Sequence, residues 1–490
     1  MVKKIIRWLG IALFLFILLL CFNAYRAKPW PASAAAINLR PLPDSAIRHM
    51  SRAIQIPTIS VSDSAALDTA AFQAWGDFME LAYPLVLQHL TLTRIRQFSY
   101  VFEWKGLRPE LAPLILMGHY DVVPVEAAVA AQWTRAPFSG DITDSCIWGR
   151  GAIDDKNGVI AILEAAEGLL RKAWVPQRTL YFCFGHDEEI RGPSAAWVVD
   201  YLRQRGVHPE MVLDEGGEIS ESKTKELGRP LAVIGIAEKG HVSFELSVNK
   251  EGGHSSLPEK ETAIDILNTA LYRLKKSPPP ARLTAPMKEF IGRIGSSSDN
   301  PGHRLAATNL WLFEGMVKKV LSDQPEGYAL THTTIVPTIL EAGVKDNVIP
   351  STARAIVNCR LLPGETIEST GRFIRETLQD PRVLVKQIGH LPSEPSAVTS
   401  TASPAFQRLV SAASETVPGV LPAPYLMAGG TDSRFYRRLS DGVVNFFPMT
   451  DAKGAHGINE RLPVLDLQRG IHLMSVLMEE SSREFSVTRD

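Results

Sequence analysis

Residues 114–124, LILMGHYDVVP, decide the fold, because a short apolar segment rich in β-forming residues leads directly into polar side chains. The same arrangement returns at residues 180–189, LYFCFGHDEE, and a third motif, WGRGAIDDK, occupies residues 148–156. Each apolar segment predicts a buried strand, and open α/β sheets place their chemistry at the carboxyl ends of such strands. The sequence therefore predicts a functional site at one edge of a sheet.

The polar motifs contain side chains suited to a metal ion. His119 and Asp121 are two residues apart, so in an extended chain they point to the same side. That spacing suits a metal-bound imidazole whose other nitrogen is held by a carboxylate, although Asp121 could instead cap a turn. Pairs of adjacent acids at 154–155 and 188–189 lie beside hydrophobic segments, where solvation alone would not place them. We therefore expect a metal site.

The composition is typical of a globular enzyme with two or three domains: 490 residues, 45% hydrophobic and 21% charged. A formal net charge of −1 argues against nucleic acid as the main partner. Cys146, Cys183 and Cys359 lie far apart and in no paired motif. We expect them to be buried thiols, with at most one disulfide among them.

The N-terminus has the pattern of a membrane-directed segment. Lys3, Lys4 and Arg7 precede residues 8–25, a run without a charge. Such a run is either a cleaved secretory signal or an uncleaved signal anchor, and its length and lack of a nearby small-residue cleavage site favour the anchor. We predict an anchor at residues 1–28, a linker at 29–43, and the body on the extracytoplasmic side, or secreted if the segment is cleaved.

The body divides into three parts by the alternation of its predicted elements. Residues 44–236 alternate strands and helices, which predicts an α/β sheet covered by helices. Residues 237–392 fit the order βαββαβ, the ferredoxin-like arrangement, once residues 277–328 of uncertain structure are set aside. Residues 393–490 return to helices and a strand. The middle part is therefore predicted to be a domain inserted into the first.

Seven motifs together resemble family twenty of the metallopeptidases, which includes aminoacylases, carboxypeptidase S and N-fatty-acyl-amino-acid hydrolases. In the order of that family, the chain contains GHYDVVP, GRGAIDDK, GHDEE, LDEGG, GGHSS, GGTDS and AHGINE. The resemblance implies an α/β fold in which a mixed-sheet zinc-exopeptidase catalytic domain carries an inserted ferredoxin-like α+β lid domain. It also implies two zinc ions per subunit and a homodimer formed through the lid.

The resemblance also implies ligands for the metals. One zinc ion is expected to bind His119, Asp154 and Asp214, and the other to bind Asp154, Glu189 and His456, with Asp154 bridging. Shared carboxylates are known to hold two such ions about 3.5–4 Å apart. By the same resemblance, Asp155 is expected to orient Asp154 through a peptide bond that is often cis in the family.

The remaining motif residues are expected to act on the substrate. Glu188 would be the general base, Asp121 would hold His119, and His254 of a partner subunit would stabilise the oxyanion. The substrate carboxylate would meet Asn347, Arg360 and the backbone of Gly429 and Gly430. His254 could instead be an ordinary loop histidine, and Asn347 and Arg360 could be surface residues. One departure is Arg191, where many relatives have a small residue.

The sequence thus predicts a zinc-dependent hydrolase that cleaves the amide bond before the C-terminal amino acid of peptides or N-acyl amino acids. An N-fatty-acyl-amino-acid hydrolase or synthase is the alternative within the enzymes. A catalytically inactive peptide-binding module is the alternative outside them, and the presence of Glu188 and Asp154 argues against it.

Overall fold

The computed structural model describes residues 1–31, 38–62, 66–143, 145–221, 227–452 and 454–483. Residues 32–37 of the predicted linker therefore lie outside the described residues.

The first part of the chain contains six helices and eight strands among the described residues. The helices are α1 (Val2–Arg26), α2 (Asp44–Ile54), α3 (Thr69–Ala82), α4 (Pro84–His89), α5 (Lys156–Arg171) and α6 (Ser194–Gln204). The strands are β1 (Thr91–Ile95), β2 (Ser99–Trp104), β3 (Leu114–His119), β4 (Cys146–Trp148), β5 (Leu180–Gly185), β6 (Met211–Asp214), β7 (Glu218–Ser220) and β8 (Leu231–Glu238).

The middle part of the chain contains six strands and six helices among the described residues. Its strands are β9 (Gly240–Asn249), β10 (Gly253–His254), β11 (Thr334–Ala342), β12 (Val348–Ile349), β13 (Thr352–Leu361) and β14 (Val383–Ser393). Its helices are α7 (Ala263–Lys276), α8 (Ala285–Ser297), α9 (Pro301–Thr308), α10 (Leu310–Ser322), α11 (Pro325–Thr331) and α12 (Ile367–Leu378).

The last part returns to the first sheet. Its elements are α13 (Pro404–Thr416), β15 (Leu421–Met427), α14 (Ser433–Tyr436), β16 (Val443–Asn445), β17 (Arg461–Pro463) and α15 (Val464–Glu479).

The larger sheet has the strand order β1-β2-β5-β3-β6-β16-β8-β15, with β7 paired to β8. Its centre is parallel, since β3 pairs in parallel with β5 and β6, and β16 with β6. Its edge strands β1 and β2 are antiparallel, as is the contact between β16 and β8. The sheet is therefore mixed, as the sequence predicts.

Helices cover both faces of the larger sheet. Helix α5, whose Ile160, Ile162 and Leu163 are fully buried, packs with α15 over one face. Helix α6 packs with α14 over the other, through Val198 and Tyr436 among others. Because both faces are covered, the sequences of the central strands are continuously apolar and do not alternate between apolar and polar residues.

The second sheet is antiparallel, with the order β11-β13-β9-β14. Its β9 alternates strictly between buried and half-buried residues, and the buried side packs on α7 and α12. The chain order β9-α7-β11-β13-α12-β14 is the predicted βαββαβ succession. Where the domains begin and end, at 236/237 and 392/393, stays a prediction.

The segment left unassigned by the sequence, residues 277–328, is helical for most of its length, in α8, α9, α10 and α11. Several strands went unpredicted, among them β8 and β15. In β15, Pro422 and Pro424 mask the strand pattern, and the structure tolerates them because β15 lies at the sheet edge and pairs with β8 alone. In β8, the strand runs across the predicted domain boundary.

Helix α1 is long and apolar enough to cross a membrane by length and composition. Its C-terminal end contacts α9 and the residues just after it. Leu20 is buried, and Asn23 Nδ2 donates to Asn309 Oδ1 at 2.8 Å. Phe16 meets Trp311 of α10 edge to face, with ring centroids 6.0 Å apart.

Candidate active site

The motif residues meet where β5, β3 and β6 end side by side. His119 is the last residue of β3, the acids at 188–189 follow β5, and Asp214 ends β6. Adjacent parallel strands bring their carboxyl ends to the same edge, so residues distant in sequence become neighbours. The predicted motif residues therefore lie together at one edge of the sheet.

His119 is held by Asp121 and presents one nitrogen to two carboxylates. Its Nδ1 lies 3.1 Å from the Asp121 backbone oxygen and 3.3 Å from Oδ1. Its Nε2 lies 3.1 Å from Asp154 Oδ1 and 3.2 Å from Glu215 Oε1. A proton on Nδ1 can be donated to Asp121, which leaves the Nε2 lone pair facing the carboxylates.

Asp121 also fixes the two acids that follow β5. The backbone N–H groups of Glu188 and Glu189 donate to its two carboxylate oxygens, at 3.2 and 3.1 Å. Asp121 is fully buried, and these bonds with His119 lower its pKa although burial alone would raise it. One carboxylate thus orients both the imidazole and the Glu188–Glu189 peptide.

Asp154 lies between two groups of possible metal ligands. Its Oδ1 faces His119, while its Oδ2 lies 3.1 Å from His456 Nε2, which is 3.0 Å from Glu189 Oε2. The potential ligand atoms within each group lie within 4.8 Å of one another. Each oxygen of one carboxylate therefore faces a different group.

Asp214, predicted as a ligand, is turned away from these groups, and Glu215 takes the position next to His119. Asp214 Oδ2 accepts hydrogen bonds from Thr431 Oγ1 at 2.6 Å and from the Ser433 backbone N–H at 2.9 Å. Because neighbouring residues point to opposite sides at the end of a strand, only one of this pair can face His119. The geometry therefore favours Glu215 over Asp214.

The donor set fits divalent metal ions such as zinc. Imidazole nitrogen and carboxylate oxygen are zinc ligands in proteins, and each group supplies three. Glu189 Oε1 is buried without a hydrogen-bond partner in the described part of the chain, so it is available to a cation. Burial and then neighbouring acids such as Asp154 raise the pKa of Glu215 well above its usual range, although the charge of His119 opposes this. A bound cation would offset that repulsion.

Glu188 differs from its neighbour Glu189. Its carboxylate makes no hydrogen bond with any described residue, whereas Glu189 contacts His456. Burial raises the pKa of Glu188 well above its usual range, and nearby carboxylates, among them Asp432 and Glu215, raise it further against the charge of His119. A half-buried carboxylate without a described partner, beside groups that could hold a metal ion, is suited to proton transfer.

The Asp155 carboxyl group lies next to the backbone of His119. The Asp154–Asp155 peptide bond is cis. A Cβ added at Gly118 would lie 2.5 Å from Asp155 Oδ2, and one at Gly158 would lie 2.5 Å from Oδ1. These glycines leave room for the Asp155 carboxyl, which approaches the His119 backbone N–H at 3.4 Å.

Glu460 and Arg150 connect the loop of Asp154 with the loop of His456 through hydrogen bonds. The sequence had indicated no role for Glu460. Arg150 Nη1 donates to Glu460 Oε2 at 2.5 Å, and the Ile153 backbone N–H donates to Oε1 at 3.0 Å. Arg150 Nη2 also donates to the Gly457 carbonyl at 2.9 Å. The only sequence signal was that the GRG and GINE segments each adjoin a predicted ligand.

Two predicted substrate residues lie away from this edge. His254 and Asn347 sit on the ribbon, the name used here for paired strands β10 and β12 with residues 343–347. The Ser255 N–H donates to the Asn347 carbonyl at 3.2 Å, and both side chains are exposed. Because the Ser256 N–H donates to His254 Nδ1, the ring's proton lies on Nε2, which faces no described residue.

Arg360 and the two glycines lie at the opposite end of β13 from the ribbon. Arg360 pairs with His241 at the start of β9. A Cβ at Gly430 would lie 4.0 Å from the carbonyl oxygen of Lys239, the residue just before β9. Gly429 and Gly430 are therefore near the start of β9, where Arg360 pairs. The structure therefore separates the predicted carboxylate-binding residues into two sets.

The fold is that of known metallopeptidases. It superposes on the M20 family metallo-carboxypeptidase Sso-CP2 from Sulfolobus solfataricus with a TM-score of 0.65 and 20% identity, covering 90% of this chain and 99% of that one. Human carnosine dipeptidase 1 gives a TM-score of 0.62 at 14% identity, covering 90% and 96%. These likenesses define the class of fold and confirm the predicted mixed α/β catalytic fold.

The sequence profile of Peptidase family M20/M25/M40 matches residues 115–480. Probable carboxypeptidase S-like 2 of Dictyostelium discoideum is 38% identical over 447 residues, which cover 89% of this chain and 85% of the relative. Human N-fatty-acyl-amino acid synthase/hydrolase PM20D1 is 33% identical over 440 residues, covering 88% and 87%. The chain belongs to peptidase family M20/M25/M40 and is a hydrolase of this metal-dependent family, as predicted.

Proposed function

We propose that this protein is a di-zinc hydrolase that cleaves the amide bond before the C-terminal amino acid of peptides or N-acyl amino acids. The observation that carries the proposal is the Asp154 carboxylate, whose two oxygens face His119 and His456, with Glu188 unpartnered beside them. The carboxypeptidase S-like relative supports the same reaction class.

The ligands of the two ions would be His119, Asp154 and Glu215 for one, and Asp154, Glu189 and His456 for the other. Zinc ions bound there would polarise the scissile carbonyl and make the attacking water more acidic. Glu188 accepts a proton from that water as its oxygen bonds to the carbonyl carbon. Glu188 then gives the proton to the amide nitrogen as the C–N bond breaks, releasing the free amino acid.

His254 would act on the site of a partner subunit. Arg360 lies eight positions along β13 from Thr352, which is next to the ribbon, and this spacing corresponds to about 27 Å of extended chain. His254 and Arg360 of one chain therefore cannot easily meet the same substrate. A partner's ribbon can supply the exposed Nε2–H as a donor to the oxyanion across a two-fold interface.

The exposed edge of the second sheet supports a dimer. Strand β11 lies at that edge and exposes Val336, Ile339 and Leu340, and Val344 beyond it is 95% exposed. A long, apolar edge strand left unpaired is an aggregation hazard unless another chain covers it. We therefore propose that β11 and the ribbon contact a second copy of the chain.

A membrane-anchored position is also proposed. The basic residues before α1 favour a cytoplasmic N-terminus, and contacts of Leu20 and Asn23 with the body favour an uncleaved helix. The test is the N-terminal sequence of the native protein, with its distribution between membrane and soluble fractions. An N-terminus beyond residue 28 would mean that the segment is a cleaved signal.

One observation favours the fatty-acyl alternative. Helix α10, which contacts α1 through Trp311 and Phe16, exposes Trp311, Met316 and Val320 to the outside. Apolar side chains beside a membrane-spanning helix can enter the bilayer surface, where long-chain acyl substrates reside. The human relative named as an N-fatty-acyl-amino acid synthase/hydrolase is consistent with such substrates.

The main experiment is hydrolysis profiling of the full-length protein with zinc supplied, using N-acetyl and N-oleoyl amino acids and dipeptides. Release of the C-terminal amino acid, and its loss when the substrate is amidated, supports the proposal. No release from any of these substrates by protein loaded with two zinc ions would refute it.

The alternative is tested by the acyl-chain preference in lipid vesicles. Val320→Glu should lower hydrolysis of N-oleoyl substrates several-fold and leave N-acetyl substrates unaffected. Val175→Glu, at another exposed valine, is the matched control. If the wild type hydrolyses N-oleoyl and N-acetyl substrates at equal rates, the fatty-acyl alternative loses its support and the carboxypeptidase function remains.

A further inference from the structure

Three arginines and a histidine lie together beyond the acids of the metal site. On the second sheet, His241 pairs with Arg360 on one side and with Ser393 on the other. Arg191 reaches this sheet from the larger one, donating from Nη2 to Ser393 Oγ at 3.4 Å and to the Leu391 carbonyl at 3.3 Å. With Arg434, these residues form what we call the cationic cluster: Arg191, His241, Arg360 and Arg434.

The cluster has hydrogen-bond donors that no described residue uses. Arg191 Nε and Arg434 Nη2 are buried without a hydrogen-bond partner, and so is His241 Nδ1. Asn358 Nδ2 lies 2.9 Å from His241 Nε2, so Nε2 accepts and Nδ1 carries the unused proton. Leaving several buried donors unsatisfied is costly, which points to a ligand.

One nearby acid pairs with the cluster without a hydrogen bond. Asp432 Oδ1 lies 3.6 Å from Arg434 Nη2, an ion pair that leaves the Nη2 hydrogen-bond donor unused. Glu238 accepts bonds from Thr431 and Ser433. Burial, and then the charges of Arg191, Arg360 and Arg434, lower the pKa of His241 to about 4.

Arg191 also occupies an unfavourable backbone conformation. Its φ of 56° lies in the left-handed region, which favours glycine. A long charged side chain there costs conformational energy, and it is directed at the second sheet rather than at solvent. Such an outlier beside a candidate active site is consistent with a functional role.

One carboxylate does not use all these donors. The sequence predicts that the substrate α-carboxylate meets Asn347, Arg360 and the backbone of Gly429 and Gly430, and of these Arg360 and the two glycines lie at this end of β13. Arg191 Nε, Arg434 Nη2 and His241 Nδ1 then remain as buried donors without a partner among the described residues. Guanidinium groups pair with carboxylates through charge-assisted bonds, so the cationic cluster suits a second carboxylate.

We propose that the cationic cluster binds the side-chain carboxylate of an acidic C-terminal amino acid, so that the preferred substrates end in glutamate or aspartate. This inference rests on the proposed function and specifies its substrate class. Uncharged isosteres such as glutamine leave the same guanidinium groups unpaired and are therefore poorer substrates.

The test compares kcat/KM for N-acetyl-glutamate with N-acetyl-glutamine, and N-acetyl-aspartate with N-acetyl-asparagine, using the zinc-loaded full-length protein. The wild type should prefer the acidic member of each pair about ten- to hundredfold, the range of a charge-assisted hydrogen bond. Arg191→Ser should reduce that ratio to about threefold or less, and Arg191→Lys should restore part of it.

Arg203→Ser, at an exposed arginine of α6, is the control and should keep the wild-type ratio. If Arg191→Ser does not fold, Arg191→Gln provides the same loss of charge with hydrogen-bonding capacity retained. A wild type that hydrolyses N-acetyl-methionine or -glutamine as well as N-acetyl-glutamate overturns this inference and leaves the proposed function standing. A wild type that hydrolyses none of these but cleaves N-oleoyl amino acids or dipeptides likewise overturns only this inference. No release from any of these substrates, by protein loaded with two zinc ions, overturns both.

Discussion

The carboxyl edge of the larger sheet and the ribbon both carry residues assigned to one reaction, yet they are built in opposite ways. At the sheet edge, His119 is 2% exposed and Asp121 0%, and each contacts several other polar groups. On the ribbon, His254 is exposed, and among the described residues its ring hydrogen-bonds only to Ser256, two residues away.

The difference indicates where each region finds its partners. The sheet edge assembles within the chain, so its side chains are oriented before substrate or metal arrives. The side chains of His254 and Asn347 on the ribbon are exposed, and in the proposed function their partner is a second copy of the chain. The predictions below test this division, beginning with the largest effect.

Glu188→Gln should lower kcat by about a thousandfold or more, because general acid–base catalysis contributes on that order. The zinc content should stay near two per chain, since the Glu188 carboxylate contacts neither ligand group. Elemental analysis beside steady-state kinetics checks this. Loss of one zinc ion would show that Glu188, not Glu189, is a ligand.

Mixing two inactive variants should restore activity if the ribbon serves a partner. Glu188→Gln and His254→Ala homodimers should each be nearly inactive. After subunit exchange, a hybrid dimer has one site with both groups intact, so random pairing restores on the order of a quarter of wild-type activity. Exchange demonstrated by labelled subunits without recovery would place His254 on its own chain's site or outside catalysis.

The choice between Glu215 and Asp214 can be tested by metal affinity. Glu215→Gln removes a carboxylate next to His119, so the affinity for one zinc ion should fall about a hundredfold or more. Asp214→Asn disturbs only Thr431 and Ser433, and should cost about tenfold, as expected of supporting residues. Competition with a chromogenic chelator measures both. If Asp214→Asn weakens zinc binding more than Glu215→Gln does, Asp214 and not Glu215 is the ligand.

Arg150→Met should destabilise the sheet edge in a pH-dependent way. Burial raises the pKa of Glu460 to about 7, although the Ile153 N–H and Arg150 lower it. An acid with a raised folded pKa stabilises the fold below its ordinary pKa and loses that contribution as pH rises through about 7. The variant should lose about 3 kcal/mol at pH 8 and less at pH 5.5, measured by denaturant unfolding. A cost independent of pH would mean that Glu460 stays charged throughout.

Much of this was predictable, because the relevant patterns are local. Strand β3 was predicted from its apolar run, which begins at Leu114 as the strand does. The residues of the sheet edge, apart from Glu215, were predicted because each stands in its own motif. For β15, the prolines contradicted the strand pattern, and only its place at the sheet edge explains them.

The rest depended on contacts between distant segments. The sequence could not distinguish Asp214 from Glu215, because which neighbour faces His119 depends on how β6 ends. The Arg150–Glu460 pair joins residues 310 positions apart. Likewise, Arg191 was visible only as a departure from relatives, and its meaning required the second sheet beside it.

The smallest expected effect concerns the stability of the ribbon. His254→Ala and Asn347→Ala should each change the free energy of unfolding by less than about 0.5 kcal/mol, as is usual for exposed side chains. The reason is that neither side chain is buried, and the ribbon's pairing of β10 with β12 uses backbone groups only. Denaturant unfolding at matched zinc checks this, with Arg150→Met as the destabilised reference. The comparison between the two regions requires that His254→Ala lose activity while keeping this stability. If His254→Ala loses activity and stability to a similar extent, His254 is a structural residue. The ribbon would then depend on contacts within the chain, as the sheet edge does.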